Sequence, residues 1–212
     1  MAIIKPFEEN TAQYEDWFEK NQYIFRSEVS AIKKVIPQDG EGIEIGVGTG
    51  RFASSLGIKY GVDPSRKMRE IAEQRGIDVC DGIAEDLPYN NLEFDFALMV
   101  TTICFLDDVY TAFREVHRIL KRNGYFIVGF VDGESPIGEF YQKNKNKNVF
   151  YKDATFHSVY DVTFYLKESG FTNFIFSQTL FKPMPFISEI EPVKQGYGEG
   201  SFIVIKSQKN RD

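Results

Sequence analysis

Near the start of the chain Tyr14, Trp17, Phe18 and Phe25 recur at i, i+3, i+4 and i+11, the spacing of one helical face. A second helical stretch runs to Val35, with Pro37 just beyond its end. From about Gly42 to Lys206 short apolar runs alternate with helical patterns, which predicts an α/β fold on a parallel sheet. Strands are expected at Gly42–Gly46, Ile58–Val62, Ile77–Cys80, Phe94–Val100 and Tyr125–Val131, then at Phe171–Phe181 and Ser201–Ser207. Phe94–Val100 is almost wholly apolar, as a strand covered on both faces must be.

Between these strands, Ser65 caps or adjoins the cap of a helix that turns Met68, Ile71 and Ala72 inward. Asp107–Lys121 reads as a helix burying Val109, Phe113, Val116 and Leu120, stopped at Asn123-Gly124. Ser158 opens a helix over Val159–Ser169 that Gly170 closes, and Pro183, Pro185 and Pro192 make the last connection irregular. The stretch 132–157 holds no sustained period, and its run Lys143-Asn144-Lys145-Asn146-Lys147-Asn148 reads as a solvated loop. That stretch is expected to be a lid or acceptor-site insertion. No internal repeat is visible, so residues 1–212 are read as a single domain with an N-terminal helical segment over 1–40.

Composition narrows the classes. The 212 residues are 42% hydrophobic and 26% charged, which fits an ordinary folded core. The net charge of −6 argues against nucleic acid as a partner, because phosphate backbones select basic surfaces. Met1-Ala2-Ile3-Ile4-Lys5-Pro6 lacks the apolar core of a signal peptide, and no stretch approaches a membrane span, so the expectation is a cytoplasmic protein. Cys80 and Cys104 are too few for a disulfide scaffold, and no His/Cys/carboxylate cluster has metal-ligand spacing. No feature sets an oligomeric state.

The candidate chemistry sits in Glu44-Ile45-Gly46-Val47-Gly48-Thr49-Gly50, a glycine turn between the first strand and a helix. Glycine permits positive φ and close approach, so such a turn aims backbone N–H groups at a ligand. Asp63, at the end of the second strand, places a carboxylate where it can accept hydrogen bonds from both hydroxyls of a ribose. A dinucleotide turn requires a third glycine where this chain has Arg51, and a phosphate loop requires Lys and Ser or Thr after Gly50. Glu44 near the turn disfavours a pyrophosphate and suits an ammonium or sulfonium cation.

The pattern Glu44-x-Gly46-x-Gly48-x-Gly50 with Gly61-Val62-Asp63-Pro64-Ser65 resembles the first two motifs of class I S-adenosylmethionine-dependent methyltransferases, in their small-molecule branch. Gly82-Ile83-Ala84-Glu85-Asp86-Leu87-Pro88-Tyr89 looks like the family's loop beside the adenine, and Glu93-Phe94-Asp95-Phe96 like the start of its fourth strand. Phe113 to Gly124 resembles the helix and turn that follow. The resemblance spans about Glu41 to Val131. It implies a three-layer Rossmann-like fold, a seven-stranded mostly parallel sheet with an antiparallel last strand, and S-adenosylmethionine as cofactor. It also implies that Gly46, Val47 and Gly48 lie along the methionine and ribose, that Asp63 holds the ribose hydroxyls, and that Pro64, Ser65 and Met68 flank the adenine. Ile83, Ala84 and Glu85 would form the other adenine border, with Thr101 and Thr102 near the methionine.

Ile83 departs from the pattern: many members have an acidic residue there that accepts from the adenine amino group. The backbone of Ile83 and Ala84, or the Glu85 side chain, is then expected to substitute. Arg51 either pairs with an acidic side chain or reaches the methionine carboxylate. Methyl transfer needs no triad when the acceptor is a good nucleophile, so no residue is assigned as catalytic. His117 reads as packing, and His157 first as a helix-entry residue beside the expected lid and second as a general base. The Tyr14, Trp17 and Phe18 face reads first as core packing and second as a cover for the cofactor. The expected reaction is methyl transfer from S-adenosylmethionine to a small-molecule acceptor. A non-catalytic protein that binds or senses the same compound, and a nicotinamide oxidoreductase, are the alternatives.

Overall fold

A computed structural model describes residues 4–210. Three helices lead the chain: α1 (Lys5–Glu9), α2 (Thr11–Lys20) and α3 (Gln22–Lys33). The parallel part of the sheet follows as β1 (Gly42–Ile45), α4 (Arg51–Leu56), β2 (Tyr60–Val62), α5 (Arg66–Gln74), β3 (Asp78–Cys80), β4 (Phe94–Val100), α6 (Val109–Ile119) and β5 (Leu120–Val131). Then come α7 (Pro136–Asn144), α8 (Val159–Glu168), β6 (Phe171–Thr179), β7 (Lys194–Gln195) and β8 (Phe202–Lys209). The strand order is β3-β2-β1-β4-β5-β8-β6-β7. The first five strands are mutually parallel, while β8 runs antiparallel to both β5 and β6. The sheet therefore has eight strands where seven are expected, the extra one being the two-residue edge strand β7 against Ser177 and Gln178.

Side-chain alternation builds the three layers. Ile43, Ile45, Ala97, Met99, Phe126, Val128, Ile203 and Ile205 face one side, where α6 and α8 cover them with Phe113, Val116, Val162 and Leu166. Phe96, Leu98, Val100, Ile127, Phe202 and Val204 face the other, against Ile32 of α3, Phe52 and Ala53 of α4 and Ala72 of α5. Each fully buried side chain of this kind contributes about 1.5–3 kcal/mol. Phe94 falls out of the alternation and joins Ala97 and Met99, because the β4–β5 register shifts between Phe94 and Phe96.

The junction of α6 with β5 and the segment after β5 depart most from the sequence expectation. The helix expected to Lys121 ends at Ile119, and the strand expected from Tyr125 begins at Leu120. The carbonyls of Arg118 and Ile119 accept from the Leu92 and Glu93 amides, which draws the chain into the sheet a turn early. Within the stretch expected to be irregular lies α7, started by Ser135, whose side chain accepts from the Gly138 amide, with Pro136 in its first turn. Lys145–Lys147 continues it as a single 3-10 turn. No described helix is long and apolar enough to cross a membrane.

Because β1, β2, β3, β4 and β5 are parallel, their carboxyl ends share one edge of the sheet. From β1 the chain passes to β2 and β3 on one side and to β4 and β5 on the other. That reversal opens a crevice above the ends of β1 and β4.

Candidate functional site

Gly46 follows β1 with φ +70°, and Gly48 and Gly50 also hold positive φ, so the turn is one that L side chains rarely adopt. Close approach adds a second constraint: a Cβ on Gly46 would collide with the Thr102 side chain, and one on Gly48 would come 3.3 Å from the Tyr14 hydroxyl. The Gly46 and Val47 amides both donate to the Val62 carbonyl, at 2.8 and 3.0 Å, tying the turn to the end of β2.

Asp63 is buried at that end. Its Oδ2 accepts from the Gly48 amide and its Oδ1 from the Ser65 amide, each at 2.8 Å. Burial raises its pKa to about 6 against those two hydrogen bonds. Each oxygen has a further lone pair, and the residue lines a cavity over the crevice. Arg69 braces the position by donating to the Asp63 carbonyl and to Asp81, 2.8 Å each. Ser65 caps α5 through the Met68 amide. Its hydroxyl donates to Glu8 of α1 at 3.0 Å, which fastens the N-terminal helix over this end of the cavity.

The cavity gathers Gly46, Gly48, Asp63, Pro64, Ser65 and Met68 with Ile83, Ala84 and Glu85, then Thr101 and Thr102. Thr101 directly follows β4 at φ +51°, a left-handed conformation costly for a β-branched residue. Thr102 Oγ1 donates to the Gly46 carbonyl at 3.3 Å and to Val100 at 3.1 Å, locking the two strand ends together. The Ile83 side chain is partly exposed in the wall. Glu85 Oε1 accepts from the Asp107 and Asp108 amides at 3.0 and 3.3 Å, so that oxygen is already engaged at the entry of α6.

Glu44, Val47, Gly50 and Arg51 do not line the cavity. Glu44 is 1% exposed and accepts from the Ala53 amide on α4. Its Oε2 has no partner, and burial, then the nearby Asp63, raises its pKa well above the usual range. Val47 packs its side chain against Gly61. Gly50 lies against Ala72 and Ile77 and admits α5 close to the turn. The Arg51 guanidinium pairs with Glu15 at 2.8 Å and Glu19 at 2.7 Å, 4.9 Å above the Phe18 ring. It thus takes the acidic-partner alternative and is turned away from the crevice.

Arg75 joins the same network on Glu15. Burial pushes the Glu15 carboxyl up, but hydrogen bonds from Arg51 and Arg75 outweigh it and hold it at about 2. The effect is to pin α2 to the glycine turn, which sets Tyr14, Trp17 and Phe18 along the cavity as well as in the core. Phe7 of α1 packs on Tyr14, Phe105 and Phe150.

At the end of β5 the cavity continues past Val131 to Tyr141 of α7, Phe150, Tyr151 and Glu28 of α3. Asp63 and Val131 end strands three spacings apart, about 14 Å at the usual ~4.8 Å per strand. Glu28 had no place in the motif argument. A signal was present in the sequence: Ile24, Glu28, Ala31, Ile32 and Val35 share one helical stripe, and Glu28 is its one charge. Cys104 and His157 border a smaller adjoining cavity with Tyr151 and Phe156 instead. Cys104 Sγ donates to the Thr101 carbonyl, and burial pushes its thiol up to about 12. His117 packs on Phe171.

A doubly wound sheet with a glycine turn, a buried carboxylate beside it and a cavity along the strand ends is an architecture that binds adenosine-containing ligands. Residues 43–128 match the family model for a methyltransferase domain, and the chain belongs to the class I S-adenosylmethionine-dependent methyltransferases. S-adenosylmethionine is its cofactor. A crystal structure of an S-adenosylmethionine-dependent methyltransferase from Thermotoga maritima is 52% identical, covers 97% of this chain and 99% of that one, and superposes with a TM-score of 0.95. An uncharacterized protein of Methanocaldococcus jannaschii is 45% identical over 96% of this chain and 98% of its own length. An uncharacterized protein of Mycobacterium tuberculosis is 32% identical over 93% and 72%. The Bacillus subtilis YcgJ structure, at 18% identity over 89% of this chain and all of that one, shares the fold with a TM-score of 0.66.

Proposed function

We propose that the chain is a single domain that methylates a small molecule, with the cofactor in the half of the cavity between Asp63 and Thr102 and the acceptor in the half beyond it. The observation that carries this reading is one continuous cavity with a polar, backbone-rich end and an aromatic end. The residues present fit the cofactor. Asp63 keeps a lone pair on each oxygen for the ribose hydroxyls, Gly46 and Gly48 leave room for close approach, and Pro64, Met68 and Ile83 offer apolar faces to a purine. With one Glu85 oxygen engaged by amides, the backbone around Ile83 and Ala84 is the nearer substitute for the family's acidic residue.

When bound, S-adenosylmethionine supplies an electrophilic methyl group on a sulfonium. The task left to the protein is positioning: aligning a nucleophile with that methyl contributes up to roughly 7–11 kcal/mol in favourable intramolecular models. Tyr14, held by the Glu15 network, and Phe7, Phe105 and Phe150 wall the junction between the halves and exclude water. Residues 132–157 supply Tyr141, Phe150 and Tyr151 to the acceptor end, which is why we assign that segment a lid role. The net charge of −6 suits a free small acceptor better than nucleic acid. The Thermotoga maritima protein is described as a possible histamine N-methyltransferase, which supports a small acceptor here.

The test is transfer of radiolabelled methyl groups from S-adenosylmethionine to a panel of amines, phenols, thiols and carboxylates. Saturable labelling of at least one compound is the expected result. Tight cofactor binding with no labelled product across the panel would instead identify a protein that binds the cofactor without catalysis.

A further inference from the structure

Glu28 is 5% exposed, lies on the buried face of α3 between Ile24 and Ile32, and opens into the cavity rather than onto any protein partner. Among the described residues no side chain or backbone amide donates to its carboxylate, and no cation pairs with it. The other carboxyl groups at or behind the cavity each accept from backbone amides: Asp63 from two, Glu85 from two and Glu44 from one. Tyr141 and Tyr151 line the same cavity; burial raises both hydroxyl pKa values, with Glu28 adding to Tyr141 and, after Tyr141 and Cys104, to Tyr151. The Tyr141 hydroxyl is directed to Met184 Sδ at 3.2 Å, not to Glu28. Tyr141 and Tyr151 lie 4.9 Å apart, ring centre to ring centre.

Burial without a donor disfavours the ionised form of this carboxyl, and a molecule that brings it N–H donors and positive charge restores that form on binding. Aromatic ring faces around the same point add attraction for a cation. A carboxylate or phosphate acceptor would meet no cationic side chain among the described lining residues.

Resting on the proposed division of the cavity, we propose that the methyl acceptor is a small amine or imidazole, and that Glu28 is the residue that binds its nitrogen, with Trp17, Tyr141 and Tyr151 as the surrounding rings. The acceptor nitrogen must be neutral to attack. One proton therefore passes from the bound ammonium to the Glu28 carboxylate, leaving a lone pair on nitrogen. That lone pair forms the new C–N bond as the methyl–sulfur bond breaks, its electron pair staying on sulfur as a neutral thioether. The positive charge moves from sulfur to nitrogen, and the proton on Glu28 leaves to solvent after the product. Burial holds Glu28 at about 8 in the empty cavity, so near neutrality the carboxyl gives its own proton to solvent as the ammonium enters and then takes up the one that the nitrogen loses.

The experiment compares the wild type with Glu28→Gln, a substitution that keeps shape and removes the charge. S-adenosylhomocysteine and S-adenosylmethionine are titrated first by calorimetry, then histamine, phenethylamine and phenethyl alcohol into the S-adenosylhomocysteine complex, followed by labelled methyl transfer to the two amines. In the wild type an amine binds at least about tenfold tighter than the alcohol, and Glu28→Gln removes that margin. Methyl transfer to that amine falls by about a hundredfold in kcat/KM. Neither amine binding below about 5 mM, the alcohol matching the amines, or Glu28→Gln leaving amine affinity unchanged overturns the proposal. So does a loss of S-adenosylmethionine affinity far exceeding that of S-adenosylhomocysteine, which would make Glu28 a partner of the sulfonium. Failure of the wild type to bind either cofactor form contradicts the division of the cavity itself and is read separately.

Discussion

The two ends of the cavity are built by different means. The end proposed for the cofactor is backbone: glycines at positive φ, amides fixed by Asp63, and strand ends locked by Thr102, nearly all from one stretch between Gly46 and Thr102. The end proposed for the acceptor is side chain: Glu28 from α3, Tyr141 from α7 and Tyr151 beyond it, brought together across more than a hundred residues. A site made of backbone is defined by where the chain can turn, and tolerates little change at those points. A site made of side chains is defined by packing around a void, so its members can change one at a time and with them the acceptor.

The largest effect should come from breaking the backbone end. Gly46→Ala forces a Cβ into the Thr102 side chain at a φ of +70°. Strain and overpacking of that kind together cost about 2–5 kcal/mol. The melting temperature should fall by about 10 °C, and calorimetry should detect no S-adenosylmethionine binding. A variant melting within about 2 °C of the wild type would mean that the turn can yield, and that the two ends differ less than their construction suggests.

The side-chain end should answer in the opposite direction. The folded-state pKa of Glu28 is raised from 4.5 to about 8 by burial, so the folded protein holds this proton more tightly than the unfolded chain. Its contribution to stability is therefore fully present below about pH 4.5 and is lost as pH rises through about 8. Tyr141 and Tyr151, the other titratable groups facing it, stay neutral over that window. Without cofactor or acceptor, Glu28→Gln should match the wild type in melting temperature at pH 5 and exceed it by about 3 °C or more at pH 9, each pK unit being worth about 1.4 kcal/mol. Equal melting temperatures at pH 9 would show that the carboxylate is solvated or paired there.

This contrast also accounts for what the sequence disclosed. The strand β4 was legible to the residue, because an apolar run covered on both faces has no other home. The glycine turn and Asp63 were legible as a site because backbone recognition must be written contiguously. Arg51 was ambiguous, since its partners Glu15 and Glu19 lie more than thirty residues away and only the packing of α2 brings them in. Glu44 stands next to the turn in sequence, yet strand alternation points it at α4. The helix α7 was hidden by the lysine and asparagine run that follows it, although Ser135-Pro136 carried its start signal. Glu28 was visible as a lone charge on an apolar stripe, but nothing in the sequence says that the stripe meets a cavity and not a core.

The central claim is that the cofactor lies at the backbone end, with its ribose on Asp63. Its most direct test is a calorimetric titration of S-adenosylmethionine into the wild type and into Asp63→Ala, each confirmed to melt cooperatively. Saturable binding by the wild type, weakened at least about tenfold by the substitution, or ~1.4 kcal/mol, is the predicted result. Unchanged affinity in a folded Asp63→Ala would contradict it.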